Sequence, residues 1–138
     1  MNENVAGKVR LRSLELHQCC EQNGLEEIMM SQESHQPFFS IIVVSLNAEQ
    51  YIGSTIASIQ RQSFDDYEVV IKDGCSKDKT LSFVPRDDKR FCTYQIPDKS
   101  LYQAMNQAIE RSTGKYLIFM NCGDCFASET VLEKVYHD

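Results

Sequence analysis

Three apolar runs of this chain end in clusters of short polar and acidic residues: Asn47-Ala48-Glu49, Asp73-Gly74 and Asn121-Cys122-Gly123-Asp124. Behind Asp73-Gly74, Ser76, Asp78 and Thr80 follow at alternate positions. Carboxylates and amides dominate these clusters, and no basic clamp for phosphate stands beside them. A carboxylate facing a phosphorylated ligand repels it unless a hard divalent cation lies between. The chemistry indicated is therefore a nucleotide held by Mg2+ or Mn2+. The chemistry requires the three clusters, distant in sequence, to meet in space.

The pattern of elements supplies a way for them to meet. Phe38–Leu46 (FFSIIVVSL), Glu68–Lys72 around Val69-Val70-Ile71, Phe91–Ile96 and Lys115–Met120 (KYLIFM) read as strands, three of them buried by their β-branched or continuous apolar content. Between them, Tyr51–Gln62 carries Ile52, Ile56 and Ile59 on one helical face. Leu101–Ser112 carries Leu101, Met105, Ala108 and Ile109, with Thr113-Gly114 as its expected C-terminal stop. Ser76–Phe83 is expected to start a helix with Ser76 as its N-cap, and Ser128–Tyr136 to form a last one. This β-α-β-α-β-α-β-α order predicts an α/β fold with an open, mainly parallel sheet. In such a sheet the strand ends share one edge, outside which ligands bind. Asp98, Tyr102 and Asn106 are expected to border the same crevice.

Composition narrows the classes. A net charge of −6 argues against a nucleic-acid partner. No apolar run approaches the ~20 residues of a membrane span, and MNENVAGKVRLRS has no apolar core of a signal peptide. The expected location is cytoplasmic, with peripheral attachment at the inner face of the membrane left open, and the six cysteines are expected to be reduced. Residues 1–37 read as an N-terminal extension and linker, partly helical or disordered, ending in the polar SQESHQP; Met29 or Met30 is an alternative start. Residues 38–138 form the domain proper.

Taken together, FFSIIVVSLN, SIQRQSF, EVVIKDGCSKDKT, PDKSLYQAMNQAI and STGKYLIFMNCGD resemble the nucleotide-binding half of a family 2 GT-A glycosyltransferase. The PDKSLYQAMNQAI block and the strand ending MN-x-GD are similar to transferases that build bacterial surface polysaccharide. The resemblance implies a GT-A, Rossmann-like sheet and transfer of a sugar from a nucleotide-diphosphate sugar, a UDP-sugar, to a glycan or lipid-linked acceptor. It implies that Asn47 and Glu49 lie beside the nucleotide and that Asp73, with Gly74, binds uracil or ribose. Asp98, Asn106 and Asn121 would line the nucleotide pocket. Asn121-Cys122-Gly123-Asp124 occupies the place of the DxD metal motif, but only Asp124 offers a charge there, so Asp124 is the expected metal ligand. The resemblance implies that the family's acceptor half and general base would follow this motif, so a fragment or truncated gene product is one expectation. The resemblance therefore leaves room for a non-catalytic nucleotide-binding half-domain, or for self-association or a second chain that completes the domain.

Blander readings compete locally. Asp73-Gly74 can be an ordinary turn, Asp65-Asp66 and Asp87-Asp88 read as solvated turns, and His17, His35 and His137 receive no function. Strand, Cys122-x-x-Cys125 and helix also match the layout of a thiol redox site. That reading lacks the strands and the proline-bearing loop which should follow.

Overall fold

A computed structural model describes residues 35–138 of the chain. Most of the N-terminal extension, with Cys19, Cys20, His17 and the alternative starts, lies outside the described residues. The elements run β1 (Phe39–Ser45), α1 (Ile52–Gln60), β2 (Tyr67–Asp73), a 3-10 turn (Thr80–Phe83), β3 (Phe91–Gln95), α2 (Leu101–Arg111), β4 (Tyr116–Asn121) and α3 (Val131–His137). The four strands pair in parallel in the order β3-β2-β1-β4. Register aligns Ser45 with Asp73, Asp73 with Gln95 and Val44 with Asn121. All four strand ends thus fall on one edge, as the sequence pattern requires.

Alternation along the strands divides the core into two layers. Phe39, Ile41, Val43, Val69 and Ile71 pack with Ile52, Ile56 and Ile59 of α1 and Leu132 of α3, while Ile42, Val70 and Tyr94 pack with Ala108 of α2 on the other face. At nine residues, with no side-chain cap at Tyr51, α1 is too short to persist alone. Its three buried isoleucines contribute about 2 kcal/mol each, as an upper estimate. Helix α2 has a better start, because the Ser100 hydroxyl accepts the Gln103 N–H at 3.1 Å.

Three expectations change. Residues 76–79 are not helical, because Ser76 is drawn to Asp73 and only Thr80–Phe83 winds into a 3-10 turn. Helix α3 begins at Val131, not at Ser128: the Gln62 amide donates to the Ser128 carbonyl at 2.6 Å and accepts from the Leu132 N–H at 3.1 Å, holding 128–130 against the end of α1. Gly114 does not cap α2, which ends at Arg111 with Ser112 extended and its hydroxyl on the Ile109 carbonyl at 2.7 Å. Gly114 is small for another reason. A Cβ there would lie 2.5 Å from Ser40 Oγ, 2.7 Å from Ser40 N and 2.8 Å from Phe39 C. Glu68 reinforces this approach by accepting from Ser40 Oγ, Thr113 N and Thr113 Oγ1 at 2.6, 2.6 and 2.9 Å.

Smaller departures are local. Asp88 is no free turn carboxylate: it accepts from Arg90 Nε at 3.0 Å and Nη2 at 2.8 Å, and Arg90 holds its carboxyl below the usual range. His35 meets Asp66 Oδ1 at 2.5 Å on the surface. Cys75, Cys122 and Cys125 are free thiols, whereas Cys92 departs from the expectation and is disulfide-bonded.

Replacing Gly114 by alanine pushes a methyl into the β1 backbone, where no rotamer change relieves it. The expected cost is about 2 kcal/mol, read as a lower urea midpoint with an unchanged slope.

Candidate functional site

At the end of β2, Asp73 has no exposed surface. Its carboxylate is occupied by three donors: Ser45 Oγ at 2.7 Å and Ser76 Oγ at 2.6 Å on Oδ1, and Ser76 N at 2.7 Å on Oδ2. A buried carboxylate left without such donors costs several kcal/mol. Asp73 therefore bends the chain after β2 back over the end of β1, and Gly74 N donates to the Ser45 carbonyl at 2.8 Å in the same turn.

The loops after β1 and β2 are then laced together. Asn47 N donates to Ser76 Oγ at 2.8 Å, and Asn47 Oδ1 accepts from Lys77 N at 2.9 Å. Glu49 N donates to Asp78 Oδ2 at 3.2 Å, and Glu49 Oε2 accepts from Lys79 N at 3.1 Å. Between them Ala48 N donates to Thr80 Oγ1 at 2.7 Å. Asp78 also accepts from the Thr80 hydroxyl, which is the main reason its carboxyl sits below the usual range. Asn47 and Cys75 hold left-handed backbone, at φ 48 and φ 67, where asparagine is better tolerated than cysteine.

Asp98, in the loop after β3, lies against the same turn. A Cβ on Gly74 would be 2.8 Å from Asp98 Oδ2 and 3.5 Å from Leu46 Cδ1. Asp98 is ion-paired with Lys72, whose side chain is fully buried. Leu46 and Tyr51 are more than half exposed at this edge of the sheet.

Beside β1, the end of β4 turns tightly. Asp124 N donates to the Asn121 carbonyl at 2.9 Å, and Asp124 Oδ2 accepts from Asn121 N at 3.0 Å. Gly123 takes φ 104, a value that favours glycine, and its N–H donates to Thr55 Oγ1 at 2.8 Å. The Cys122 thiol donates to the Val44 carbonyl at 3.4 Å. Burial, and then the charges of Asp73 and Asp124, push this thiol from 9.0 up to about 11. A redox cysteine at the start of a helix needs the opposite shift, so Cys122-x-x-Cys125 does not have the electrostatics of a thiol redox site.

Asn47, Glu49, Asp73, Gly74 and Asp98 thus meet, and Asn121 and Asp124 stand at the adjoining strand end. Asn106 is exposed on α2, on the opposite side from the buried Ala104 and Ala108. Lys72, Ser45, Leu46 and Thr55 belong to the site without having been singled out in the sequence. Lys72 had a visible signal, a cation directly after the apolar run Val69-Val70-Ile71.

As a metal site, the β4 turn is sparse. Among the described residues no group of three or more His, Cys, Asp or Glu could hold an ion. Asp124 is exposed and has one carboxylate oxygen outside the turn, which fits an ion sharing its shell with diphosphate oxygens and water. Among the same residues no helix is long and apolar enough to cross a membrane.

In the parallel sheet β3-β2-β1-β4 the strand order reverses between β1 and β4, and polar loops collect beside that switch point, which is where open α/β sheets place their ligands. The family model for glycosyl transferase family 2 matches residues 40–137, and the chain belongs to that family, with the GT-A sheet. A PGL/p-HBAD biosynthesis glycosyltransferase of Mycobacterium bovis is 34% identical over 103 residues, 72% of this chain and 40% of that protein. The poly(ribitol-phosphate) beta-N-acetylglucosaminyltransferase TarS of Staphylococcus aureus is 31% identical over 99 residues, 67% of this chain and 17% of its own length. The crystal structure of TarS 1–349 superposes with a TM-score of 0.67 at 28% identity, covering 72% of this chain and 31% of that one. Its complex with UDP-GlcNAc gives 0.64 at 26%, covering 72% and 30%. This chain therefore spans less than half the length of these relatives.

The shifted thiol generates a test. In the folded protein, iodoacetamide at pH 8 should modify the exposed Cys75 and Cys125 before Cys122, by peptide mass mapping. Because Cys122 keeps its proton longer when folded, its contribution to stability is intact below pH 9 and falls between pH 9 and about 11. Cys122→Ser should flatten that part of a urea-midpoint profile.

Proposed function

We propose that this chain forms the donor half of a family 2 glycosyltransferase of surface-polysaccharide assembly, binding a nucleotide-diphosphate sugar, a UDP-sugar, in the crevice between the β1, β2 and β4 ends. The observation that carries this reading is the meeting of the loops after β1, β2 and β3 beside the β1–β4 switch point. The relatives support the donor class, since TarS is solved with UDP and with UDP-GlcNAc.

In this reading the residues divide the work. The laced loops of Asn47, Glu49 and residues 76–80 form a fixed wall, because their side chains already hold backbone N–H groups. Asp73 anchors that wall and shapes the nucleotide pocket from beneath. Leu46 offers the base an apolar contact, and Asp98 with Asn121 offers polar ones. Asp124 would hold Mg2+ or Mn2+, which when bound neutralises the diphosphate as leaving group. Asn106, exposed on α2, would lie at the rim of the crevice. The acceptor is a glycan or a lipid-linked chain. Location is cytoplasmic, with the acceptor drawing the protein to the inner face of the membrane.

Calorimetric titration with UDP, with and without Mn2+, tests the reading. Saturable binding strengthened by Mn2+ is expected. Asp124→Ala should weaken binding in Mn2+ by about tenfold, roughly 1.4 kcal/mol, and leave metal-free binding unchanged. A folded wild-type chain that takes up no UDP under either condition sinks the donor-half reading.

A further inference from the structure

Among the described residues, two charged side chains are buried, and they are neighbours: Lys72 and Asp73 at the end of β2. Consecutive residues of a strand face opposite sides of the sheet. Asp73 shares the side of Val69 and Ile71, which pack with α1; Lys72 shares the side of Val70, which packs with α2. Asp73 holds the loop of residues 74–80. Lys72 meets Asp98, and so holds the loop that leads from β3 into α2. Gly74, next in the chain, has its missing Cβ within 2.8 Å of Asp98 Oδ2. The ion pair and the glycine therefore depend on one another: Asp98 can lie in this place only while residue 74 has no side chain.

We infer that Lys72 is a positioning residue for the donor site, fixing Asp98 and the 96–100 loop as the second wall of the crevice while Asp73 fixes the first. The inference rests on the donor-site reading for its functional consequence, though not for the latch itself. Energetics favour positioning over stability. An ion pair in the interior is often no better for stability than apolar side chains of similar size, and a methionine at residue 72 would fill much the same space. What methionine cannot do is direct a carboxylate. Without its partner, Asp98 has some exposure already, 16% of its side chain, and turns to water. The loop then loses its fixed place against Gly74 and Leu46.

Lys72→Met, Asp98→Ala, their double variant and Gly74→Ala test this in the full chain. By amide hydrogen exchange, Lys72→Met should speed exchange across residues 96–103 and leave β1 and β2 protected. By calorimetry with UDP, Lys72→Met and Asp98→Ala should each weaken binding by about tenfold, and the double variant should bind no more weakly than Asp98→Ala alone. Gly74→Ala should reproduce the Lys72→Met exchange pattern with Lys72 in place. Unchanged exchange at 96–103 in Lys72→Met overturns the latch. So does a uniform rise that includes β1 and β2, which makes Lys72 a general stabiliser, and so do additive losses in the double variant. If the wild-type chain binds no UDP, the donor reading fails while exchange still decides for or against the latch.

Discussion

The site hangs on a carboxylate that cannot reach water. Asp73 ends the central strand β2 with no exposed surface, and a charge in that position must be met by donors or be neutralised. Ser45 on the neighbouring strand and Ser76 three residues on supply them. Once Ser76 is drawn back, its hydroxyl and the residues behind it stand opposite the loop after β1. Five contacts then close between the loops: Asn47 with Ser76 and Lys77, Ala48 with Thr80, and Glu49 with Asp78 and Lys79. Backbone N–H groups that would otherwise need water are satisfied by side chains of the facing loop. The crevice wall is thereby formed before any ligand arrives, a preorganisation that reduces the entropy lost on binding.

The sheet was legible from the sequence because its signals are redundant. Val69-Val70-Ile71 and Ile41-Ile42-Val43-Val44 are long enough, and β-branched enough, to exclude other readings, and a helix of crossover length lies between them. Which strand ends would meet followed from the parallel order alone. The roles at those ends did not follow, because a residue type says what it can bond and not which partner lies within reach. Asn47 and Glu49 are at the expected place, yet their oxygens face backbone amides of the opposite loop. Ser76 looked like a helix cap because serine has the same hydrogen-bonding capacity in either setting; Asp73, three residues earlier, decided between them. Asn106, expected at the crevice, lies across α2 from the buried Ala104 and Ala108, on the side open to solvent. Gly114 looked like a helix stop, and only the approach of β1 reveals why it must be small.

The two sides of the crevice differ in how firmly they are held. On the side of β1 and β2, the strands are almost wholly buried and both flanking loops are tied to them. On the side of β4, Leu117 and Phe119 remain well exposed, on the face where α2 lies over β1 and β2 and no described element covers this strand. The β4 turn is nonetheless fixed, through Thr55 of α1 on Gly123 and the Val44 carbonyl on Cys122. Asp124 is thus presented by a shaped turn on a lightly covered strand, while Asp98 and the laced loops are tied to the buried Lys72 and Asp73 of β2. Local opening is least costly where buried contacts are few, so the β4 side is the part of the crevice with room to adjust.

That asymmetry suits a donor with two unlike ends. A nucleoside is rigid and apolar on its faces, and gains from a preformed wall with Leu46 and the Gly74–Asp98 contact at its base. A diphosphate is flexible and charged, and its place is set by an ion whose shell adapts in ligand number and direction. A single carboxylate at the end of a lightly covered strand can serve such an ion where a rigid cluster of acids is absent, provided that the phosphates complete the shell. In the proposed donor site, an asparagine at 121 in place of a first carboxylate is then tolerable for a physical reason. Asn121 contributes its backbone to the turn that aims Asp124, and that contribution is independent of its side chain.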